Sequence, residues 1–318
     1  MNNFEIKKRE PLLTEDVFNE KTINYFEDTI NDIEYFELID NSTKPLIHRK
    51  RISWTVFSEY FEKTILDYSA GCPISEVVQR MRDSLAFYTT HKDKFPNDVL
   101  QYWEPDAYQY LLWLYSLAVM TGESQQIVSI TRWLAKNNMG DDDPLLSILL
   151  ARLGIEGLPR QEELVFPNSY KHLFDAIKGD GVNPTKEERQ QSLTLYLKGW
   201  YKGMKHCYWY NRHKGRFPTF FGYWAFEAGL VTLLYDLDDS SYRHMLYYPA
   251  DFVDYARAQG YNKINFTKHH ILFAGDECPC DGVWWANLSN DKVFLKKGER
   301  IPAPAQNKNE HTYFWINQ

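Results

Sequence analysis

Few side chains in this sequence sit where they could do chemistry, and the first is Glu227. It lies in Phe221-Gly222-Tyr223-Trp224-Ala225-Phe226-Glu227-Ala228-Gly229-Leu230, an otherwise apolar run. A lone carboxylate in such a setting is costly to bury, so it either finds a cation or takes up a proton. The preceding aromatic stretch, Trp200 to Tyr210, offers Lys202, Lys205 and His206, with Arg212 just beyond. The two stretches, Trp200–Tyr210 and Phe220–Ala228, read as aromatic-rich helices laid against one another. A structural ion pair of Glu227 with Lys202 and His206 is expected to fix how they dock. Service as a general acid or base needs a second catalytic group and a pocket, and the sequence presents neither.

Two other sets invite a metal. Asp236-Leu237-Asp238-Asp239-Ser240-Ser241 alternates carboxylates, but a calcium loop also needs a central glycine and a terminal glutamate. Aspartate and serine in tandem are read instead as helix terminators and caps. His269-His270 and Cys278-Pro279-Cys280 lack the two well-spaced cysteine pairs of a structural zinc site. Cys72 and Cys207 read as small core residues. The chain carries no Gly-x-Gly-x-x-Gly, no Gly-Lys-Ser/Thr phosphate loop, no His-Glu-x-x-His and no Gly-x-Ser-x-Gly. The expectation is therefore a chain that is not an enzyme, with no metal and no cofactor.

The elements behind these residues are mainly helical. Phe18, Ile23, Phe26, Ile30, Ile33 and Phe36 recur at three- and four-residue steps, with acidic residues opposite. Trp54, Phe57, Phe61 and Ile65 repeat the pattern until Gly71-Cys72-Pro73 stops it. Asp106–Met120 is the most apolar helix, with Ser124–Lys136 as its partner. Asp143-Pro144 reads as an N-cap and first helical residue for Leu145–Leu153. Tyr170–Ile177 is a shorter helix. After the break at Gly179–Thr185, Thr185 and Glu188 match a capping box, so a long helix is expected to run to about Tyr210. Leu193, Tyr196, Leu197, Trp200, Met204 and Tyr208 then form one core-like stripe.

Past Gly260 the texture changes to short apolar runs at 271–273, 283–285, 293–295 and 313–316, punctuated as strands are. The expected fold is mainly α: an irregular multi-helix bundle of antiparallel helix pairs with a small C-terminal β appendage. Three regions are expected: 1–184, 185–268 and 269–318.

With 318 residues, 44% of them hydrophobic and 16% aromatic, the chain can bury a large core. No run approaches the ~20 apolar residues of a membrane span. The start has no apolar stretch after its cations, and four cysteines make no disulfide framework, so a cytoplasmic location is expected. Net charge is −7, which argues against nonspecific nucleic-acid binding. The charge is also segregated. Glu15, Asp16, Glu20, Glu27, Asp28, Asp32, Glu34, Glu37 and Asp40 stand against Lys21 alone, whereas Lys198–Arg216 carries cations and no carboxylate.

Trp200–Lys214 and Gly222–Arg257 resemble the PoNi family, immunity proteins against polymorphic nuclease effectors (PoNe). The resemblance rests on Trp200-Tyr201-Lys202-x-Met204, His206-Cys207-Tyr208-Trp209-Tyr210 and His213-Lys214. It continues in Gly222-Tyr223-Trp224-x-Phe226-Glu227-Ala228, Leu237-Asp238-Asp239-Ser240-Ser241 and Tyr248-Pro249-x-Asp251-Phe252-Val253-Asp254-Tyr255-Ala256-Arg257. Ser53–Leu153 is compatible with the family's N-terminal half. The tail departs from the pattern: Cys-Pro-x-x-Gly-x-Trp-Trp from Cys278 and Gly298–Pro302 are similar to C-terminal modules of other toxin-immunity proteins.

The resemblance implies a cytoplasmic immunity protein, without catalytic residues, that binds and neutralises an antibacterial DNase deployed by secretion, as in type VI systems. A nuclease must present cations to phosphates, so acidic residues are the expected contacts. The candidates are Asp141, Asp142 and Asp143 on an expected exposed loop, Glu27, Asp28, Asp32 and Glu34 of the N-terminal segment, and Asp238 and Asp239. The expected partner is the cognate nuclease toxin, with no direct nucleic-acid or membrane binding; homo-oligomerisation is left open. The alternatives are an all-helical enzyme using Glu227 with a nearby His or Lys, or a helical scaffold for an unrelated protein.

Overall fold

The computed structural model describes residues 3–132, 134, 143–157, 163–178, 183–286 and 291–302, and the backbone of 312–316. Residues Met1–Phe95 with Cys207–Trp224 form one compact unit, and Pro96–His206 with Ala225–Gln318 form another. The fold is mainly α with one small sheet, as the periodicity predicts. The aromatic signature that dominates the sequence is divided between the units, because its middle third belongs to the first and its two ends to the second.

The first unit contains α1 (Asn3–Lys7), α2 (Glu15–Lys21), α3 (Asp28–Asn31), α4 (Ile33–Asp40), α5 (Leu46–Ser69) and α6 (Ile74–Lys94). Helices α5 and α6 pack through Val56, Phe57, Phe61 and Ile65 against Val77, Met81, Leu85 and Tyr88, all buried. Gly71 turns the chain between them with φ of +83°; a Cβ there would lie 1.9 Å from the Lys7 carbonyl oxygen, so only glycine fits. The single N-terminal helix suggested by periodicity is broken. A π-helical turn at Thr22–Glu27 adds a residue, and Asp32 leaves the helix to cap α4, accepting from the Tyr35 amide at 2.9 Å. The shifted register buries Phe26 and turns Ile23 and Ile33 outward, 53% and 74% exposed.

Cys207–Trp224 lies in this unit as turns and extended backbone, with a 3-10 turn at Arg212–Lys214. Of the helices expected over Trp200–Tyr210 and Phe220–Ala228, only Trp200–Gly203 and Phe226–Ala228 are helical, and the rest is corrected to turns and extended backbone. The Ser69 hydroxyl at the end of α5 donates to the Phe221 carbonyl (2.7 Å) and accepts from Trp224 Nε1 (2.8 Å). Glu10 accepts from the Tyr223 amide at 3.0 Å. Backbone groups used this way cannot serve a helical ladder.

The second unit contains α7 (Pro105–Met120), α8 (Ile127–Thr131), α9 (Pro144–Arg152), β1 (Ile155–Glu156), α10 (Pro167–Ile177), α11 (Lys186–Gly203), α12 (Phe226–Leu234) and α13 (Ala250–Ala258). It also holds β2 (His269–Phe273), β3 (Gly282–Ala286), β4 (Lys292–Leu295) and β5 (Thr312–Ile316). Helix α7 is buried from Tyr108 to Met120 and forms the centre, with α12 and α13 against it. The capping box of Thr185 and Glu188 opens α11 as expected, and Leu193, Tyr196, Leu197 and Trp200 form its buried stripe. The helix stops at Gly203, not Tyr210. Ser169 of α10 donates to the Gly203 carbonyl at 2.9 Å, and a Cβ on Gly203 would stand 3.2 Å from the Ser169 Cα. The sheet has the order β1-β2-β5-β3-β4 and is antiparallel except for β1 with β2. The four apolar runs of the tail fall in β2 to β5; the two-residue β1, far upstream, carries no period that could announce it.

Candidate partner-binding surface

Glu227 is wholly buried in the first turn of α12. Tyr196 Oη and Trp200 Nε1, one turn apart on α11, each donate to Glu227 Oε1 at 2.6 Å, and Gln109 Nε2 of α7 donates to Oε2 at 3.1 Å. Gln109 is held in turn by Tyr170, whose hydroxyl donates to its Oε1 at 2.7 Å. The expected ion pair is thereby corrected. Lys202 and His206 are exposed, and neutral donors surround the carboxylate instead. A neutral donor sheds its water at less cost than an ammonium, so a dry core favours this arrangement. Burial pushes the Glu227 pKa up, and the bonds from Tyr196, Trp200 and Gln109 only partly offset it. The site has no solvent access for a substrate and acts as a buried clasp joining α7, α11 and α12.

Asp143, expected on an exposed loop, is 2% exposed. It is the N-cap of α9, accepting from the Leu146 amide at 3.0 Å, and it also takes bonds from Tyr108 Oη (2.8 Å) and the Val165 amide (2.9 Å). The cap was legible; the burial was not, because nothing local shows that Tyr108 and Val165 close over it. Asp141 and Asp142 lie outside the described residues. Asp239 is likewise buried, paired with Arg257 (2.9 Å) and Arg243 (3.2 Å) and bonded by Tyr248 Oη (2.9 Å). Both carboxylates are buried and held by internal partners. Asp238 is exposed but curls back on Ser240, whose amide and hydroxyl both bond it at 3.0 Å and hold its carboxyl below the usual range.

The N-terminal candidates are different. Glu27, Asp28, Asp32 and Glu34 are all exposed on the π-turn, α3 and α4. Asp32 is spent partly on its cap, and Asp40 nearby pairs with Lys94 at 2.5 Å. Glu27, Asp28 and Glu34 have no ion pair among the described residues. Ile23 and Ile33, exposed in the same segment, add apolar surface to it.

The segment that carries these residues is tied to α5 by buried charge. Lys21, 3% exposed at the end of α2, lies 2.7 Å from Glu62 Oε2 and 3.9 Å from Glu59, with its ammonium over the rings of Tyr25 and Phe221. Burial alone would lower its pKa, but Glu62 and Glu59 outweigh that and hold it above the usual lysine value. Burial pushes Glu59 up against the pull of Lys21. Lys63 pairs with Asp67 beneath the rings of Phe18 and Phe26. Sequence reasoning missed these pairs. The one lysine within a run of nine carboxylates, Glu15 to Asp40, was the available signal.

Two family profiles match the chain. One, described as PoNe immunity protein (PoNi), N-terminal, matches residues 9–132; the other, PoNe immunity proteins (PoNi), C-terminal, matches residues 141–252. Among solved structures, protein PA2201 from Pseudomonas aeruginosa is similar with a TM-score of 0.51 and 20% sequence identity, over 75% of this chain and 89% of that chain. At that identity the likeness is one of fold. No curated protein matches the chain.

Proposed function

From the premise that this chain belongs to the PoNi family of PoNe immunity proteins, we propose that it binds a cognate nuclease effector and holds it inactive in the cytoplasm of the cell that makes it. Proteins of this family are inhibitors and not enzymes, in keeping with a Glu227 that no substrate can reach. The effector in this reading is an antibacterial DNase of the kind delivered by type VI secretion.

The observation that carries the contact is the set Glu27, Asp28 and Glu34, exposed and unpaired among the described residues, beside Ile23 and Ile33. A DNase presents cations where it holds phosphates, so such a face meets it with complementary charge and a small apolar seal. Asp32 and Asp238 add to the negative field, while Asp143 and Asp239, being buried, are left out of the proposed contact. Asp141 and Asp142 stay in the proposal on their sequence alone.

Co-expression tests the role. Cells making the cognate nuclease should survive with this chain and die without it, and purified nuclease should lose DNA cleavage when the chain is added in equal amount. Equal killing with and without the chain would overturn the reading.

A further inference from the structure

The first unit displays a second surface, which the proposed toxin contact does not use. Arg212, Lys214, Arg216 and Phe217 lie on the loop around the 3-10 turn, and Lys214 and Arg216 are exposed with no carboxylate partner among the described residues. Phe217 is 65% exposed, and the Arg216 guanidinium sits 5.9 Å from its ring centre. This patch has the same construction as the acidic one, with the sign reversed. In one, Ile33 stands between Asp32 and Glu34; in the other, Phe217 stands beside Arg216 and Lys214.

One carboxylate ties the two patches to the same helix. Glu62 of α5 takes Lys21, at the root of the acidic arm, with Oε2 at 2.7 Å, and Tyr208, at the root of the cationic loop, with Oε1 at 2.6 Å. The Arg212 guanidinium also lies 5.3 Å over the Tyr208 ring. Acidic and basic surfaces anchored on one side chain keep a fixed relation, which is what reciprocal pairing requires. In a two-fold dimer each patch of one copy meets the opposite patch of the other, giving the same contact twice and a closed assembly.

We infer that this chain, when no nuclease is bound, self-associates as a two-fold dimer in which the Ile33 patch of each copy meets the Phe217 patch of its partner, so that a nuclease taking the acidic face displaces the second copy. A second copy fits the cationic loop better than a nucleic acid does, because the chain carries a net charge of −7 and the same unit displays carboxylates that repel phosphate.

Sedimentation of the full chain alone, without nuclease, tests this, so its failure leaves the immunity reading untouched. The wild type should sediment as a dimer at low salt and dissociate as salt screens the pairs. Glu34→Lys and Arg216→Glu should each weaken self-association about tenfold or more. An equimolar mixture of the two variants should restore the dimer. In one of its contacts the introduced lysine faces the introduced glutamate, while the other contact keeps its native pair; recovery also shows that both variants are folded. A wild type that stays monomeric at every salt concentration overturns the inference, as does a mixture that fails to re-associate or an assembly that grows beyond two copies. Retardation of a DNA duplex by wild type and not by Arg216→Glu would assign the loop to nucleic acid and overturn it equally.

Discussion

Tyr196 donates its phenol hydroxyl to Glu227 Oε1 at 2.6 Å inside a core that admits no water to either residue. Three neutral donors converge on that carboxylate and no cation does among the described residues, so its ionisation works against burial and its pKa is raised. The unfolded chain therefore gives up this proton at lower pH than the folded one. The stability it contributes is full below the unfolded carboxyl value, near pH 4, and is lost as pH rises through the folded pKa. Glu227→Gln removes the titration. The difference in stability between wild type and variant, followed by urea unfolding, should change steadily above about pH 4 in the variant's favour. A difference independent of pH would contradict this account of the site. At low pH the variant should be weaker by about 1–3 kcal/mol, since its amide meets the Gln109 amide donor to donor.

Lys21 anchors the acidic arm through Glu62 and Glu59. Lys21→Met leaves two carboxylates facing one another under the arm, and should cost about 3–5 kcal/mol, read as a lowered denaturation midpoint. Glu62→Gln should loosen both Lys21 and Tyr208. Hydrogen exchange is then expected to quicken at residues 15–31 and 207–214 together. Exchange rising in only one of these stretches would show that they are not held in common.

Asp238 and Asp239 are neighbours with opposite fates. Asp239→Ala takes the carboxylate from Arg257 and from the Tyr248 hydroxyl, while Arg243 keeps Asp254 at 2.6 Å, and should cost about 3 kcal/mol. Asp238→Ala removes only two local, exposed turn bonds from Ser240 and should leave the thermal midpoint unchanged within error. Equal effects would contradict the burial assigned to Asp239.

Gly222 holds φ of +117°, and a Cβ there would fall 2.0 Å from Ser69 Oγ. Gly222→Ala should therefore displace Ser69 from the Phe221 carbonyl and from Trp224. The expected cost is about 2 kcal/mol or more, partly from the strained backbone and partly from the lost bonds. Circular dichroism melting reads it directly.

Helix positions were legible where apolar spacing meets a clear cap or stop, as in α5, α7 and α11, and so were the strands of the tail. The misreadings share a cause. Glu227, Asp143 and Asp239 look alike to a sequence reader, as carboxylates needing partners. Which partner each found depends mostly on side chains distant in sequence, from Arg243 and Tyr248, four and nine residues from Asp239, to Gln109, more than a hundred residues from Glu227. The helix expected across Phe220–Ala228 starts only at Phe226, for a related reason. Ser69 and Glu10 claim its backbone from far upstream, and aromatic content is no guide to that.

The face of Glu27, Asp28 and Glu34 carries the central claim, and titrating the cognate nuclease domain against wild type and against a Glu27→Lys, Asp28→Lys, Glu34→Lys variant tests it most directly. Affinity should fall by about a hundredfold or more while the variant's melting temperature stays near that of wild type. Undiminished affinity for a folded triple variant would contradict it and move the contact elsewhere on the molecule.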